Sequence, residues 1–308
     1  MEITGWRAWL IAIRPQTLPA GAAPVIVGMA VASYEGLFSA GPAFAALIGA
    51  LLIQIGTNLA NDYYDAQRGV DSADREGFTR VTHEGIIAAE QIRLAMVVSF
   101  SSAIAVGTYL VYIGGVPIVI IGLVSVACGI AYAGGPFPFG SYGLGDLFVF
   151  VFFGIIAVTG TVYVQAANVL ADPFPLTVPA GTITASAIIA SIAMGALATA
   201  ILVVNNLRDI ETDAAAGKYT LAVIIGPVLT RVEYAILLFA AYLVPLAFWA
   251  LFGTQSLLLP LLSLPLAAIL VYQVIGGRSG AKLNETLERT GQLQAAFALL
   301  FAVGVIIS

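Results

Sequence analysis

Two groups of amide and carboxylate side chains, each at helical spacing and each closing an apolar run, hold most of the chemistry in this chain. The first is Asn58, Asn61, Asp62 and Asp65, followed by Asp71 and Asp74. The second is Asn205, Asn206, Asp209 and Asp213, followed by Lys218. Residues three or four apart share a helix face, so each group presents a polar stripe. Hard oxygen donors of this kind suit Mg2+, which keeps several waters and bridges protein carboxylates to substrate phosphates. Two such stripes facing each other across a membrane bundle make a site for divalent metals holding a diphosphate. Asp71 and Asp74 are placed to close around it, and Lys218, Arg75, Arg80 and Arg208 to neutralise its remaining charge. A single Asp at a helix end is as readily a cap in water. Two whole ladders are not, because crowded carboxylates repel one another. Each carboxylate set toward the bilayer centre also costs on the order of 2.5–3.5 kcal/mol, which a bound cation offsets.

The elements that must position these stripes follow from composition. The chain has 308 residues, 60% hydrophobic and 9% charged, against roughly 25% charged in soluble domains. Nine stretches are apolar for about the 20 residues a bilayer crossing needs: 17–34, 42–60, 92–113, 117–133, 147–165, 183–204, 235–252, 257–275 and 293–307. Period-two alternation is missing, which argues against a β-barrel. The expectation is an all-α integral membrane protein, a bundle of nine transmembrane helices around a central cavity with polar cytoplasmic cap loops. It forms one domain over 1–308, with its acidic loops at 58–91 and 205–230.

All twelve Lys and Arg fall in four places: the N-terminal segment and the loops after the second, sixth and eighth spans. By the positive-inside rule the N-terminus is cytoplasmic, and both acidic groups lie on that same face of the cell membrane. The first acidic loop, 62–91, is too long for a simple connection and reads as a cap. The net charge of −5 comes with no basic stripe, which excludes a nucleic-acid partner. Cys128 is the one cysteine and lies in an apolar span, so no disulfide framework or thiolate site is available. His83, the one histidine, has no companion for a zinc site. Asp146 reads as an N-cap of the fifth span or else a contributor to the site, and Asn284 as a cap of the last hairpin or else an acceptor contact.

Apolar spans beside a diphosphate site imply a hydrocarbon tail lying in the bundle. Metal charge assists the departure of an allylic diphosphate, and aromatic faces stabilise the resulting carbocation. Tyr63, Tyr64, Tyr132 and Tyr163 are the candidates, and Tyr132, Phe139 and Tyr142 flank a Gly-Pro turn at 134–140 on the same face. From another class, a cation-coupled transporter also places carboxylates in a helical bundle. Transporter sites sit near mid-membrane on broken helices, whereas these acids gather at one face beside long loops.

At these residues the chain resembles the UbiA-type superfamily of intramembrane prenyltransferases over its whole length. The matching segments are Asn61-Asp62-Tyr63-Tyr64-Asp65 with Asp71, and Asp209-Ile210-Glu211-Thr212-Asp213. It is most similar to the branch that uses 1,4-dihydroxy-2-naphthoate. That likeness rests on Arg14-Pro15-Gln16-Thr17-Leu18-Pro19, the Asp65-to-Asp71 gap, Arg80-Val81-Thr82, Gly143-Leu144-Gly145-Asp146, and 205–221. Phe78-Thr79 departs from the Pro-Leu common in bacterial members. The resemblance implies Mg2+ held by Asn61, Asp62, Asp65, Asp209 and Asp213. It further implies a polyprenyl diphosphate bound with Asn58, Asn61, Tyr132 and Asn205, and a membrane lipid setting. The naphthoate ring carbon bearing the carboxylate is prenylated with loss of CO2 and a proton, giving a demethylmenaquinol. Asp71 or Asp74 assists acceptor deprotonation, and Arg14 or Arg80 holds the acceptor carboxylate. Arg14 alone also reads as a snorkelling anchor. Prenyl transfer to 4-hydroxybenzoate, a glycerol phosphate lipid precursor or haem is the alternative within the superfamily. Oligomeric state is not legible in the sequence.

Overall fold

The computed structural model describes residues 5–68 and 80–308. Its elements are helical, as a hydrocarbon solvent demands of a chain that must satisfy its own backbone. Among the described residues the one strand-like pairing is an isolated bridge between Tyr142 and Tyr219. A short helix α1 (Trp6–Ile13) precedes α2 (Leu18–Tyr34), α3 (Ala40–Arg68) and α4 (Ala89–Ala131). Helix α5 (Gly145–Val149) continues through a wide π-type stretch, Phe150–Ile156, into α6 (Ala157–Leu170). Then come α7 (Ala185–Arg208), the one-turn α8 (Ile210–Ala215) and α9 (Leu221–Phe252). A 3-10 stretch, Gln255–Ser263, leads into α10 (Leu264–Ile275), and α11 (Leu283–Ile306) closes the chain.

Among the described residues eight helical stretches are long and apolar enough to cross a membrane, one fewer than the nine runs expected. The difference lies in α4, whose 43 residues are broken at Gly115, with φ 61° and ψ −149°. A Cβ on Gly129 would stand 3.4 Å from the ring of Phe100, and these residues lie about equally far on either side of the break. The two limbs therefore double back side by side, and α4 is a hairpin of two crossings. Gly115 is required there. Its φ is left-handed, and a side chain would collide with the Pro175 carbonyl oxygen, which accepts the Val116 N–H at 3.0 Å.

The bundle is built around α7, the most enclosed span, which packs on α9, α11 and the π-type stretch. Small residues let the backbones touch: a Cβ on Gly154 would lie 2.6 Å from the Gly195 Cα, the close approach that membrane helices use in place of a hydrophobic drive. Outward-facing Leu94, Leu123, Phe239, Leu262, Tyr272 and Ile306 are exposed, a surface suited to lipid and not to water. Helix α3 has 29 residues, about 43 Å at 1.5 Å per residue, against a hydrocarbon core of about 30 Å. Its last turns therefore clear the apolar layer, and those turns carry Asn61 to Asp65.

Candidate active site

The first ladder is pinned by a strained elbow between α1 and α2. Arg14 ends α1 in the left-handed region at φ 55°, and Pro15 and Pro19 set the chain turning into α2. Thr17 holds the elbow to α3: its hydroxyl donates to the Arg14 carbonyl (2.9 Å) and accepts from Gln54 (3.2 Å) and Asn58 (2.8 Å). Asn58 also donates to the Ile13 carbonyl at 2.8 Å. Its amide hydrogens are thus spent on the elbow, which brings Arg14 to the rim of the cavity described below. One turn on, the Asp62 carboxylate accepts from the Thr82 amide (3.1 Å) and hydroxyl (2.5 Å). Asp65 lies between Arg68 (3.4 Å) and Arg80 (3.3 Å). Asp62 is 2% exposed and Arg80 7%, so these are buried pairings in which each charge needs its partner.

The second ladder is organised by one guanidinium. Arg208 grips Asp209 through two bonds, Nε to Oδ1 at 2.8 Å and Nη2 to Oδ2 at 2.7 Å. It also donates to Asn205 and Asn284, both at 2.8 Å. The fork geometry of arginine suits this bidentate grip. Asp209 interrupts α7, and α8 then carries Asp213 round to Lys218, whose Nζ lies 3.4 Å from the Asp213 carboxylate. The loop after Lys218 is fastened across the mouth, where the Tyr219 N–H donates to the Ser141 carbonyl at 3.0 Å.

Part of each row lines one cavity of about 160 Å³: Asn58, Asp62, Asp209 and Asp213, expected there, are not among its lining residues, and Asp62 and Asp209 turn to Thr82 and Arg208 instead. Asn61, Asp65 and Arg80 line the cavity from one side, and Asn205, Asn206, Arg208 and Lys218 from the other, with Arg14 and Tyr132 between them. A second cavity of about 440 Å³, almost wholly apolar, runs between α3, both limbs of α4 and the π-type stretch with α6. The two share Gln54, Asn61, Tyr132, Val149 and Phe153. A small polar chamber therefore opens into a long apolar one, the shape for a charged head on a hydrocarbon tail.

The side chains suit a divalent cation bridged to a ligand. Asn61 Oδ1 is buried without a hydrogen-bond partner, at the junction of the two cavities. Such an orphaned acceptor is costly unless something fills its valence. Among the described residues no three of His, Cys, Asp and Glu converge as a ready cage. Mg2+ does not need one, since it takes one or two carboxylates with substrate phosphates and water completing its shell.

Several residues stand elsewhere than expected. Asp71, Asp74 and Arg75 lie outside the described residues. Tyr163 donates its hydroxyl to the Gly114 carbonyl at 2.7 Å, at the opposite end of the bundle, so it does not face the carboxylates. Tyr63 accepts from Gln67 at 2.9 Å. Phe139 stacks on Phe148 and Tyr142 on Phe137, and of the three turn aromatics only Tyr132 lines the chamber. Asp146 makes no capping bond. It is 6% exposed with Oδ2 unpartnered, on the side of Tyr132, whose ionisation also feels Asp65 and Asp213. Asn284 holds Arg208 and caps nothing. Thr82 and Gln54 were not expected at the site. Gln54 sits at i−4 from Asn58, so the polar stripe runs one turn deeper than the acids that announce it.

Residues 22–287 match the UbiA prenyltransferase family, and the chain belongs to it: it is a multi-pass membrane prenyltransferase. It is similar to the 1,4-dihydroxy-2-naphthoate octaprenyltransferase of Escherichia coli, at 38% identity covering 100% of this chain and 97% of that one. The enzyme of that name from Mycobacterium tuberculosis is 36% identical over 96% and 95%. A UbiA homologue from Aeropyrum pernix shares the fold with a TM-score of 0.70 at 12% identity, covering 96% of this chain and 98% of its own. Another, from Archaeoglobus fulgidus and bound to DMAPP and Mg2+, has a TM-score of 0.63 at 17% identity, covering 97% and 99%.

Proposed function

We propose that this prenyltransferase moves a polyprenyl group from an allylic polyprenyl diphosphate onto 1,4-dihydroxy-2-naphthoate, with release of diphosphate and CO2, to give a demethylmenaquinol. The observation that carries the reading is the joined pair of cavities, a chamber lined by Asn61 and Asp65 of one ladder and Asn205 and Asn206 of the other, opening into an apolar channel. The relatives named for this acceptor support its identity. When bound, Mg2+ supplies Lewis acidity that makes the diphosphate a better leaving group. Asn61, Asp62, Asp65, Asp209 and Asp213 are the residues that would hold it.

The chain's own groups do the rest. Lys218 and Arg80 balance charge on the departing diphosphate, which leaves with the electron pair of the allylic C–O bond. Tyr132, at the junction, turns an electron-rich aromatic group toward the carbon left positive. The buried wall of the chamber keeps water from capturing that carbon. Arg14, delivered to the rim by the Thr17 elbow, or Arg80 orients the acceptor carboxylate. The ring carbon bearing that carboxylate forms the new bond, and the carboxylate departs as CO2, returning its bond pair to the ring. An Asp71 or Asp74 carboxylate takes a hydroxyl proton from the acceptor as the ring attacks and returns it to that oxygen when CO2 leaves, which gives the quinol. Single-domain organisation, a cytoplasmic N-terminus and a cytoplasmic chamber belong to this reading.

The test is to incubate membranes holding the protein with labelled prenyl diphosphate, Mg2+ and a panel of aromatic acids, and to identify the lipid product by mass. Prenylated, decarboxylated naphthoquinol is the expected product. A prenylated 4-hydroxybenzoate in its place contradicts the proposed acceptor, and exchange of substrate across liposomes without product contradicts transfer altogether.

A further inference from the structure

Three of the four described ladder aspartates already hold a cation of the chain's own. Asp65 has Arg80 at 3.3 Å and Arg68 at 3.4 Å, Asp209 has Arg208 at 2.7 Å, and Asp213 has Lys218 at 3.4 Å. All three carboxylates are buried. A divalent cation entering alone meets guanidinium and ammonium groups already aimed at the oxygens it needs, and is repelled by them. A diphosphate entering alone meets cations whose charge is spent on carboxylates. To strip one partner from such a buried pair leaves the other uncompensated, which is costly. The chamber is thus balanced against either ligand by itself.

The pairs differ in how readily they part. Arg208 is fixed, because its buried guanidinium also donates to Asn205 and Asn284, both at 2.8 Å. Lys218 is held by its backbone instead. Its N–H donates to the Asp213 carbonyl at 2.8 Å, in a turn that Gly217 makes with a left-handed φ of 71°. Its ammonium is a compact charge on a flexible four-carbon stem, and Lys218 lines the chamber whereas Asp213, its partner, does not. That charge can leave the carboxylate without leaving the chamber. Arg80 is tethered in a similar way. Thr82, two residues on, bonds Asp62 at 2.5 Å, so Arg80 stays beside the first row if its guanidinium turns from Asp65.

We propose that Lys218 and Arg80 are exchangeable counter-ions, which hold the last described carboxylate of each row until metal and diphosphate arrive together and then pass from carboxylate to phosphate. This rests on the proposed diphosphate donor and deepens it. The carboxylates open to a metal only when the displaced cations have an anion to turn to. Each ligand therefore tightens the other, and by linkage the effect is reciprocal. The Lewis acid is assembled only where a diphosphate is present to use it.

The experiment uses full-length protein in nanodiscs of zwitterionic lipid, without acceptor, and reads two affinities. Mn2+, which suits the same oxygen donors, is titrated alone and followed by the loss of its electron-spin resonance signal on binding. Radiolabelled inorganic pyrophosphate is titrated with and without Mg2+. In the wild type Mg2+ tightens pyrophosphate by about tenfold or more, within the usual range for two coupled ligands. Lys218→Gln binds Mn2+ alone about tenfold more tightly than the wild type and gains less pyrophosphate affinity from Mg2+. Lys218→Arg restores both readings. Arg80→Gln shifts them the same way as Lys218→Gln by a smaller factor, since Arg68 remains beside Asp65. Arg93→Gln removes an equal charge from an exposed pair with Glu90, and leaves both readings unchanged. Mn2+ affinity that is unaltered or weaker in Lys218→Gln overturns the proposal, as does equal tightening in Arg93→Gln. Pyrophosphate binding in the wild type that is indifferent to Mg2+ also overturns it. Turnover is scored separately: a wild type that couples the two ligands yet does not prenylate 1,4-dihydroxy-2-naphthoate contradicts the proposed acceptor and leaves the exchange standing. A wild type that binds neither Mn2+ nor pyrophosphate overturns both.

Discussion

At the scale of single residues, the two aspartates that begin the ladders are held in different ways. Asp62 is oriented by Thr82 and Asp209 by the bidentate Arg208. In each case a neighbour locks the carboxylate before any ligand arrives, the preorganisation that electrostatic catalysis relies on. Asp62→Ala and Asp209→Ala should each lower Mg2+-dependent turnover by about 10²-fold or more, the usual cost of removing one stabilising group, while the protein still purifies folded. Near-normal activity in either variant contradicts its role. Lys218 faces the chamber from the second row, beside Asp213. Lys218→Ala should raise KM for the prenyl diphosphate more than for the aromatic acid, and steady-state kinetics with each substrate varied in turn reads this out. Equal effects contradict a head-group role. The acidic residues were legible in the sequence because charge is so rare here. The residues that orient them were less so: Thr82 and Asn284 carry no charge to mark them, and their partners are distant in sequence. Arg208 was expected to face a diphosphate, yet its bonds run to Asp209, Asn205 and Asn284. One chain thus places a cation at the chamber while using its donors on the protein.

At the scale of elements, the apolar runs located the spans because hydrocarbon demands them: α2 and α7 fall on the expected stretches, while α3 runs on past its apolar run and α11 starts ten residues before its own, both through polar turns. The tight hairpin in α4 was expected as two spans, and Gly115 is the residue that makes it. The π-type stretch at Phe150–Ile156 left no mark in hydropathy, since a wider turn changes backbone pairing and not composition. Such insertions concentrate at functional sites, and this one lets Gly154 meet Gly195 on α7. The glycines divide by what surrounds them. Gly154→Ala should destabilise the bundle by about 1–3 kcal/mol, the cost of overpacking a close backbone contact. Gly107→Ala, with open space before it, should be neutral or slightly stabilising through helix propensity. Thermal unfolding in the same detergent compares the two; equal destabilisation by both contradicts the distinction.

At the scale of the whole molecule, length places the chemistry. Helix α3 outruns the hydrocarbon core, so its polar end stands at the membrane surface while its apolar end walls the channel. On the proposed function, the donor's charge and its tail would be sorted by this one helix. Counting α4 as two, the described residues hold nine candidate crossings, an odd number that would put the two ends of this chain on opposite sides. In a Cys128→Ser background, a cysteine introduced by His83→Cys should label from the cytoplasmic side and one introduced by Ser308→Cys from the other. Labelling of both from one side contradicts the count. The opposed rows were the feature most exposed to error in the sequence, since periodicity shows which residues share a face and not which faces meet. The common chamber lined by Asn61, Asp65, Asn205 and Lys218 answers that question. The central claim is that these rows grip a diphosphate through divalent ions. Its most direct test is the affinity for geranyl diphosphate measured across a Mg2+ titration in wild type, Asp65→Asn and Asp213→Asn. Affinity should rise with Mg2+ in the wild type and lose that dependence in both variants; a variant that keeps the full Mg2+-dependent gain would show that its row does not hold the metal.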